Sequence, residues 1–210
     1  MPTTNVYVDG FNLYYRCVKD TRYKWLDVSK LASLLLPKNT RLRRLRYFTA
    51  RVKPLPHNLD APTRQQVYLR ALATIPSLTI HYGHFLTNRV KMPLADPPPG
   101  GPRFAEVVRT DEKGSDVNLA TYLLLDAFKR EAETVLIVSN DSDLVEPIRI
   151  VKSEFGVKVG ITLPCKGTPS VTLRSVADFV RPIRVGALFA SQFPPTLSDA
   201  RGVISKPTTW

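Results

Sequence analysis

Val135-Leu136-Ile137-Val138-Ser139-Asn140-Asp141-Ser142-Asp143-Leu144 is the stretch that decides how this chain folds. Four consecutive apolar residues form a strand core without polar alternation, the pattern of a strand covered on both faces. The run then gives way to small polar residues and two carboxylates, and a helical pattern resumes after Asp143. A buried strand that ends in a polar turn and continues as a helix is one half of a parallel βα unit.

The same grammar recurs outward from this stretch. Strand-length apolar runs are read at Asn5–Asp9, Leu45–Val52, Leu78–Phe85, Thr134–Val138 and Val157–Leu163. Helical patterns fall between them, from about Phe11, from about Asp27, over Thr63–Ile75, after Ser115 and after Asp143. The alternation predicts one α/β domain over residues 1–185, with five or more mainly parallel strands under helices on both sides. Two segments break the rhythm. Residues 88–104 enclose the run Lys91 to Pro102, with Pro97-Pro98-Pro99-Gly100-Gly101, and are expected to form a loop at a substrate edge. Residues 186–210, with Pro194-Pro195 and Pro207, are expected to be a tail, poorly ordered or packing on the domain.

Composition narrows the function classes. Thirty Lys and Arg against eighteen Asp and Glu give a net charge of +12, which attracts polyanions and makes nucleic acid the leading partner. No apolar run approaches the roughly 20 residues of a membrane span. Nothing at the amino terminus marks export, so a cytoplasmic protein is expected, without a membrane partner. Cys17 and Cys165 lie far apart without metal-ligand spacing, and are expected to be buried, reduced thiols. His57, His81 and His84 have no motif around them and are read as solvated or core residues. Tyr14 and Tyr15 are read as core or cleft wall.

Three motifs carry candidate chemistry. In Val6-Tyr7-Val8-Asp9-Gly10-Phe11-Asn12 a buried strand delivers Asp9 to its carboxyl end, although an Asp-Gly turn accounts for that residue equally well. In Ser139-Asn140-Asp141-Ser142-Asp143 either aspartate would cap the following helix, which leaves the other without a structural duty. In Glu112-Lys113-Gly114-Ser115-Asp116-Val117, Ser115 is expected to cap a helix with an apolar stripe through Val117, Ala120, Leu124 and Phe128. Asp116 then falls in its first turn, where a negative charge is favourable in any helix.

Convergence is what raises these residues above their local explanations. In an open parallel sheet the carboxyl ends of strands at a topological switch point share one crevice. Asp9, Asp116, Asp141 and Asp143 gathered there would repel, by roughly 1 kcal/mol per pair at ~4 Å in water and about 4 at an effective dielectric near 20. A cation is therefore expected among them. Hard oxygen ligands without His or Cys suit Mg²⁺ or Mn²⁺. Such ions activate water for attack on a phosphodiester, with Lys113 placed to touch a phosphate beside the metal. A second basic set, Arg41, Arg43, Arg44, Arg46, Arg51 and Lys53, flanks the second strand core with Tyr47 and Phe48 interleaved. It is a candidate nucleic-acid track, with ordinary surface charge as the competing reading.

In these motifs, taken in order, the sequence resembles the NYN domain family, including the LabA-like proteins of the PIN-like ribonuclease superfamily. The resemblance rests on Val8-Asp9-Gly10-Phe11-Asn12, Glu112-Lys113-Gly114-Ser115-Asp116-Val117 and Ser139-Asn140-Asp141-Ser142-Asp143-Leu144, and covers about Asn5 to Arg181. It implies a Rossmann-like three-layer sandwich with sheet order 3-2-1-4-5. It also implies a divalent metal held by Asp9, Asp116, Asp141 and Asp143, supported by Asn12 and Ser139, and hydrolysis of RNA. Asn140 stands where many relatives look glycine-like. RNA is the expected partner, single-stranded first, with DNA and a homodimer left open.

Other readings compete. One is a non-catalytic RNA- or DNA-binding module with a vestigial acidic site. A phosphohydrolase with an aspartyl nucleophile ranks below it, because Phe11 occupies the place of the second aspartate. Dinucleotide binding has no glycine-rich or P-loop motif to support it.

Overall fold

The computed structural model describes residues 1–54 and 58–210; His57 lies outside the described residues. Six strands form a single parallel sheet: β1 (Thr3–Asp9), β2 (Arg41–Thr49), β3 (Leu78–Tyr82), β6 (Thr134–Val138), β7 (Lys158–Leu163) and β8 (Phe179–Pro182). Their spatial order is β3-β2-β1-β6-β7-β8, the expected 3-2-1-4-5 order with one further strand at the edge. β1 is central. From it the chain winds first one way, to β2 and β3, and then crosses back to β6 on the other side, which sets the switch point between β1 and β6.

The unbroken apolar runs follow from this burial. Val6 and Val8 of β1 face one core layer, whereas Tyr7 faces the other. The first layer holds α1 (Gly10–Leu13) with the π-helical turn Tyr14–Val18, α2 (Val28–Leu35) and α3 (Ala61–Leu72). The second holds α4 (Ser115–Phe128), α5 (Val145–Phe155) and α6 (Val171–Val176). Each helix closes a crossover between parallel strands, as the alternation of patterns requires.

The α4 stripe differs from expectation. Leu119 and Leu123 are fully buried, whereas Val117 and Phe128 are exposed. Apolar residues are so dense along this helix that several stripes fit its period, and the sheet selects the one led by Leu119. Ser115 is not the cap either. Gly114, with φ +93°, precedes the helix, and Glu112 accepts both the Ser115 N–H at 3.2 Å and its hydroxyl at 2.7 Å.

Residues 88–104 are also corrected. β4 (His84–Pro93) and β5 (Phe104–Lys113) pair antiparallel as a long hairpin whose strands take residues 88–93 and 104 of the expected loop and leave residues 94–103 as its tip. The ribbon stands on the sheet's carboxyl edge with most of its residues exposed. Beyond β8, α7 (Val185–Ala190), β9 (Thr196–Asp199) and β10 (Gly202–Ser205) pack on the first layer. Leu188, Phe193 and Ile204 are buried there, and Trp25 donates its indole N–H to the Pro194 carbonyl at 2.8 Å. Cys17 and Cys165 are not separate thiols: they form a disulfide, with Cα atoms 4.9 Å apart. Separation along the chain says nothing about separation in space, and β1 and β7 share the edge that carries both cysteines. No helix among the described residues is long and apolar enough to cross a membrane.

Candidate active site

Asp9 ends β1 and is 6% exposed. Its Oδ1 accepts the Asn12 N–H at 2.9 Å, so the carboxylate caps α1 as well as facing the crevice. Its Oδ2 accepts the Ser139 hydroxyl at 2.9 Å. Ser139 follows β6, the neighbour of β1, and its Oγ in turn accepts the Asp141 N–H at 3.1 Å. Asn12 ties the same two turns from the other side: its Oδ1 accepts the Asn140 N–H at 3.2 Å. The β1 and β6 turns are thus stitched together by Asn12 and Ser139, the two residues expected to support the acids.

Gly10 is needed at this junction. A Cβ there would lie 2.7 Å from the Tyr47 ring and 2.8 Å from the Phe48 carbonyl oxygen, so only glycine lets β2 approach the start of α1.

Asp141 caps the turn Ser142–Leu144 by accepting the Asp143 N–H at 3.0 Å, and Asp143 is left exposed at the rim. Asp116 stands in the first turn of α4 on the same edge. Its carboxyl is raised from 3.8 to about 6, by partial burial first and then by Asp9, Asp141, Glu112 and Asp143. Burial also lifts Asp9 to about 6; Asp141 adds to the rise, and the hydrogen bonds from Asn12 and Ser139 oppose it. Three distant chain segments therefore bring mutually repelling carboxylates to one crevice.

Among the described residues these groups do not close into a cluster of three metal-ligating side chains. They face one another at Coulombic range. The donor set is nonetheless all hard oxygen, and its protonation is disturbed in the direction that a cation would relieve, which fits Mg²⁺ or Mn²⁺ with water completing the shell. Sequence reasoning left Glu112 out of the acidic set. Its place one turn before Asp116 was visible, but the hairpin that brings it to the edge was not.

The basic residues divide. Arg41 pairs with Thr3 at the opposite, amino edge of the sheet, and Arg43 and Arg44 are occupied by Glu131 near that edge. Arg46 is buried against Asp126 inside the second layer. These four are no track to the acids, because strand direction carries them to the far end. Arg51 and Lys53 follow the carboxyl end of β2 and stay near the crevice, Arg51 over the Tyr82 ring at 5.3 Å and Lys53 within 3.4 Å of Thr87. Lys113 ends β5 beside Gly114 and is exposed. His81 is packed between Phe48 and Tyr122 and bonded to Arg46 at 3.0 Å, as a core histidine, whereas His84 is exposed.

A parallel three-layer sheet with carboxylates collected at its switch point is the architecture of a PIN-like α/β domain. The chain belongs to the NYN domain family, whose model matches residues 3–184. It is 30% identical over 234 aligned positions to 6-hydroxy-3-succinoylpyridine 3-monooxygenase HspA of Pseudomonas putida, an alignment spanning 99% of this chain and 75% of that protein. Its fold resembles the crystal structure of a protein of unknown function from Vibrio parahaemolyticus, with a TM-score of 0.56 at 16% identity, covering 88% of this chain and 94% of that one.

Proposed function

We propose that this protein is a divalent-metal-dependent ribonuclease that hydrolyses phosphodiester bonds of single-stranded RNA in the cytoplasm. The observation that carries the reading is the meeting of Asp9, Asp116, Asp141 and Asp143 at one sheet edge, where the Asp116 carboxyl is raised by partial burial first and then by Asp9, Asp141, Glu112 and Asp143. A set of acids that destabilise one another's charge at a sheet's switch point is costly unless a cation and an anionic substrate meet there. Asp9, Asp116 and Asp141, with Asp143 at the rim, would hold Mg²⁺ or Mn²⁺. A bound ion of this kind supplies an activated water and offsets charge on the phosphate.

The chain's own residues then have separable duties. Ser139 and Asn12 fix the Asp9 and Asp141 turns relative to each other. Lys113, Arg51 and Lys53 are the cations assigned to the phosphates on either side of the cleaved bond.

The test is cleavage of end-labelled single-stranded RNA with Mn²⁺ or Mg²⁺, compared with excess chelator. Metal-dependent cleavage abolished by Asp9→Asn and Asp141→Asn is the expected result. A gel shift without cleavage under every metal condition would instead identify a binding module.

A further inference from the structure

The helical turn that follows Asp9 also lines a cleft beside the acidic edge. In the π-helical turn the Lys19 N–H reaches the Tyr14 carbonyl, five residues back, at 2.8 Å. The wider turn sets Tyr14 and Tyr15 together on the wall of a cleft of about 340 Å³. Both rings keep large exposed areas, 36% and 56%, although they are among the larger apolar surfaces of the molecule. Tyr47 and Tyr68 close the cleft behind, and Trp210 flanks it.

Charge is distributed on one side of neutrality. Lys19, Lys24, Lys53 and Arg64 stand around the cleft against a single acid, Asp20. Arg64 is held in place by the Asn58 side chain. Gly10, the residue after Asp9, is part of the lining, so the cleft opens directly beside the acidic edge. Its volume is at the small end of ligand sites, suited to one ring and its attached anion and too small for a protein segment.

We propose that this cleft is a nucleotide subsite, in which a base stacks on Tyr14 with its edge towards Tyr15, whose ring stands at 79° to that of Tyr14, while its phosphate meets Lys53 and Arg64. The strand is thereby led past Gly10 to Asp9. Aromatic faces accept any base, and cations track the backbone, so the subsite would select single strands with little sequence preference. The inference rests on the ribonuclease reading for its substrate class, and the two can fail separately.

The test is binding of a fluorescently labelled oligouridine, by anisotropy, in chelator so that nothing is cleaved. Tyr14→Ala is expected to weaken binding about tenfold, the scale of one lost stack, and Tyr14→Phe to restore it. Lys53→Gln combined with Arg64→Gln is expected to lower the slope of log affinity against log salt by about one for each lost phosphate contact. Circular dichroism checks that each variant is folded, and Tyr15→Ala replaces Tyr14→Ala if the latter is not. Wild-type affinity and salt slope in all of these variants would overturn the subsite. So would pyridine-3-carboxylate competing as well as uridine monophosphate, since the cleft would then be built for small aromatic acids. Oligouridine binding that depends on Tyr14, without cleavage in Mn²⁺, keeps the subsite and removes the nuclease. Cleavage that is indifferent to Tyr14 and Arg64 does the reverse.

Discussion

Arg46 and Asp126, eighty residues apart in the chain, meet inside the second core layer through two hydrogen bonds of 2.7 Å each. Tyr7 donates its hydroxyl to the same carboxylate at 2.7 Å, and His81 sits 3.0 Å from the guanidinium. Burial and the Arg46 charge push His81 down to about 4, so it stays neutral at physiological pH. The network welds α4 to β1, β2 and β3, and it keeps the Arg46 guanidinium buried and engaged, away from the surface that its neighbours in sequence face.

Arg46→Met would leave Asp126 buried without its cation. A loss of about 3–5 kcal/mol in urea unfolding is expected. Oligonucleotide affinity of the folded variant, measured at low urea, should be unchanged; a drop matching that of a surface arginine would contradict the assignment.

Asp9, with Asp116 raised in the same direction, contributes to how stability responds to pH. Its carboxyl holds a proton more tightly in the folded protein, at about 6, than in the unfolded chain, at 3.8. Stability is therefore favoured below pH ~4 and is lost as pH rises towards 6. Asp9→Asn removes that loss and is expected to gain about 1–2 kcal/mol at pH 7.5, less than the full shift because the Ser139 hydroxyl must find another acceptor. Below pH 4 the gain should vanish. Chemical denaturation at several pH values measures it, and a pH-independent difference would rule out the buried charge as its source.

Metal should compensate the same charge. Addition of Mn²⁺ is expected to raise the melting temperature of the wild-type protein by binding the folded state alone, with little effect on Asp9→Asn. Differential scanning fluorimetry with and without chelator reads this directly.

Ser139→Ala takes one partner from Asp9 and one from the Asp141 turn without touching a carboxylate. A reduction of about 10–100-fold in metal affinity is expected, with the fold intact. Calorimetric titration of Mn²⁺ into Ser139→Ala and wild type would show it, and equal affinities would mean that the turn is held by Asn12 alone.

The disulfide is checked by thiol counting. Unreduced protein should give no reactive thiol even when denatured, and reductant should release two and lower the unfolding free energy by about 2–4 kcal/mol. Cys17→Ser should lose the sensitivity to reductant. Purification under reducing conditions is the informative comparison, because a cytoplasmic setting would hold the pair as a dithiol.

How much of this was legible depended on whether a residue's role is local. The runs around Val6 and Leu136 are apolar because both sheet faces are covered, and that could be read directly. So could Asp9 and Asp141, each placed where a strand must end. The β4–β5 ribbon could not, because it buries no face, and the prolines at its tip drew the eye from the pairing of Val90 with Val107. Arg46 looked like its neighbours in sequence because only the fold shows which side chain of a strand turns inward. The choice of Leu119 over Val117 on α4, and the Cys17–Cys165 pair, likewise depended on which surfaces meet.

β1 pairs with β6 across some 130 residues, and the crevice exists only where those strands lie side by side. Contacts so distant along the chain are the slowest to form, since the intervening loop must close before they stabilise anything. Activity should thus reappear in the last kinetic phase of refolding, after helical content has recovered. The nascent chain would accordingly be unable to cleave nucleic acid until more than half of it had been synthesised.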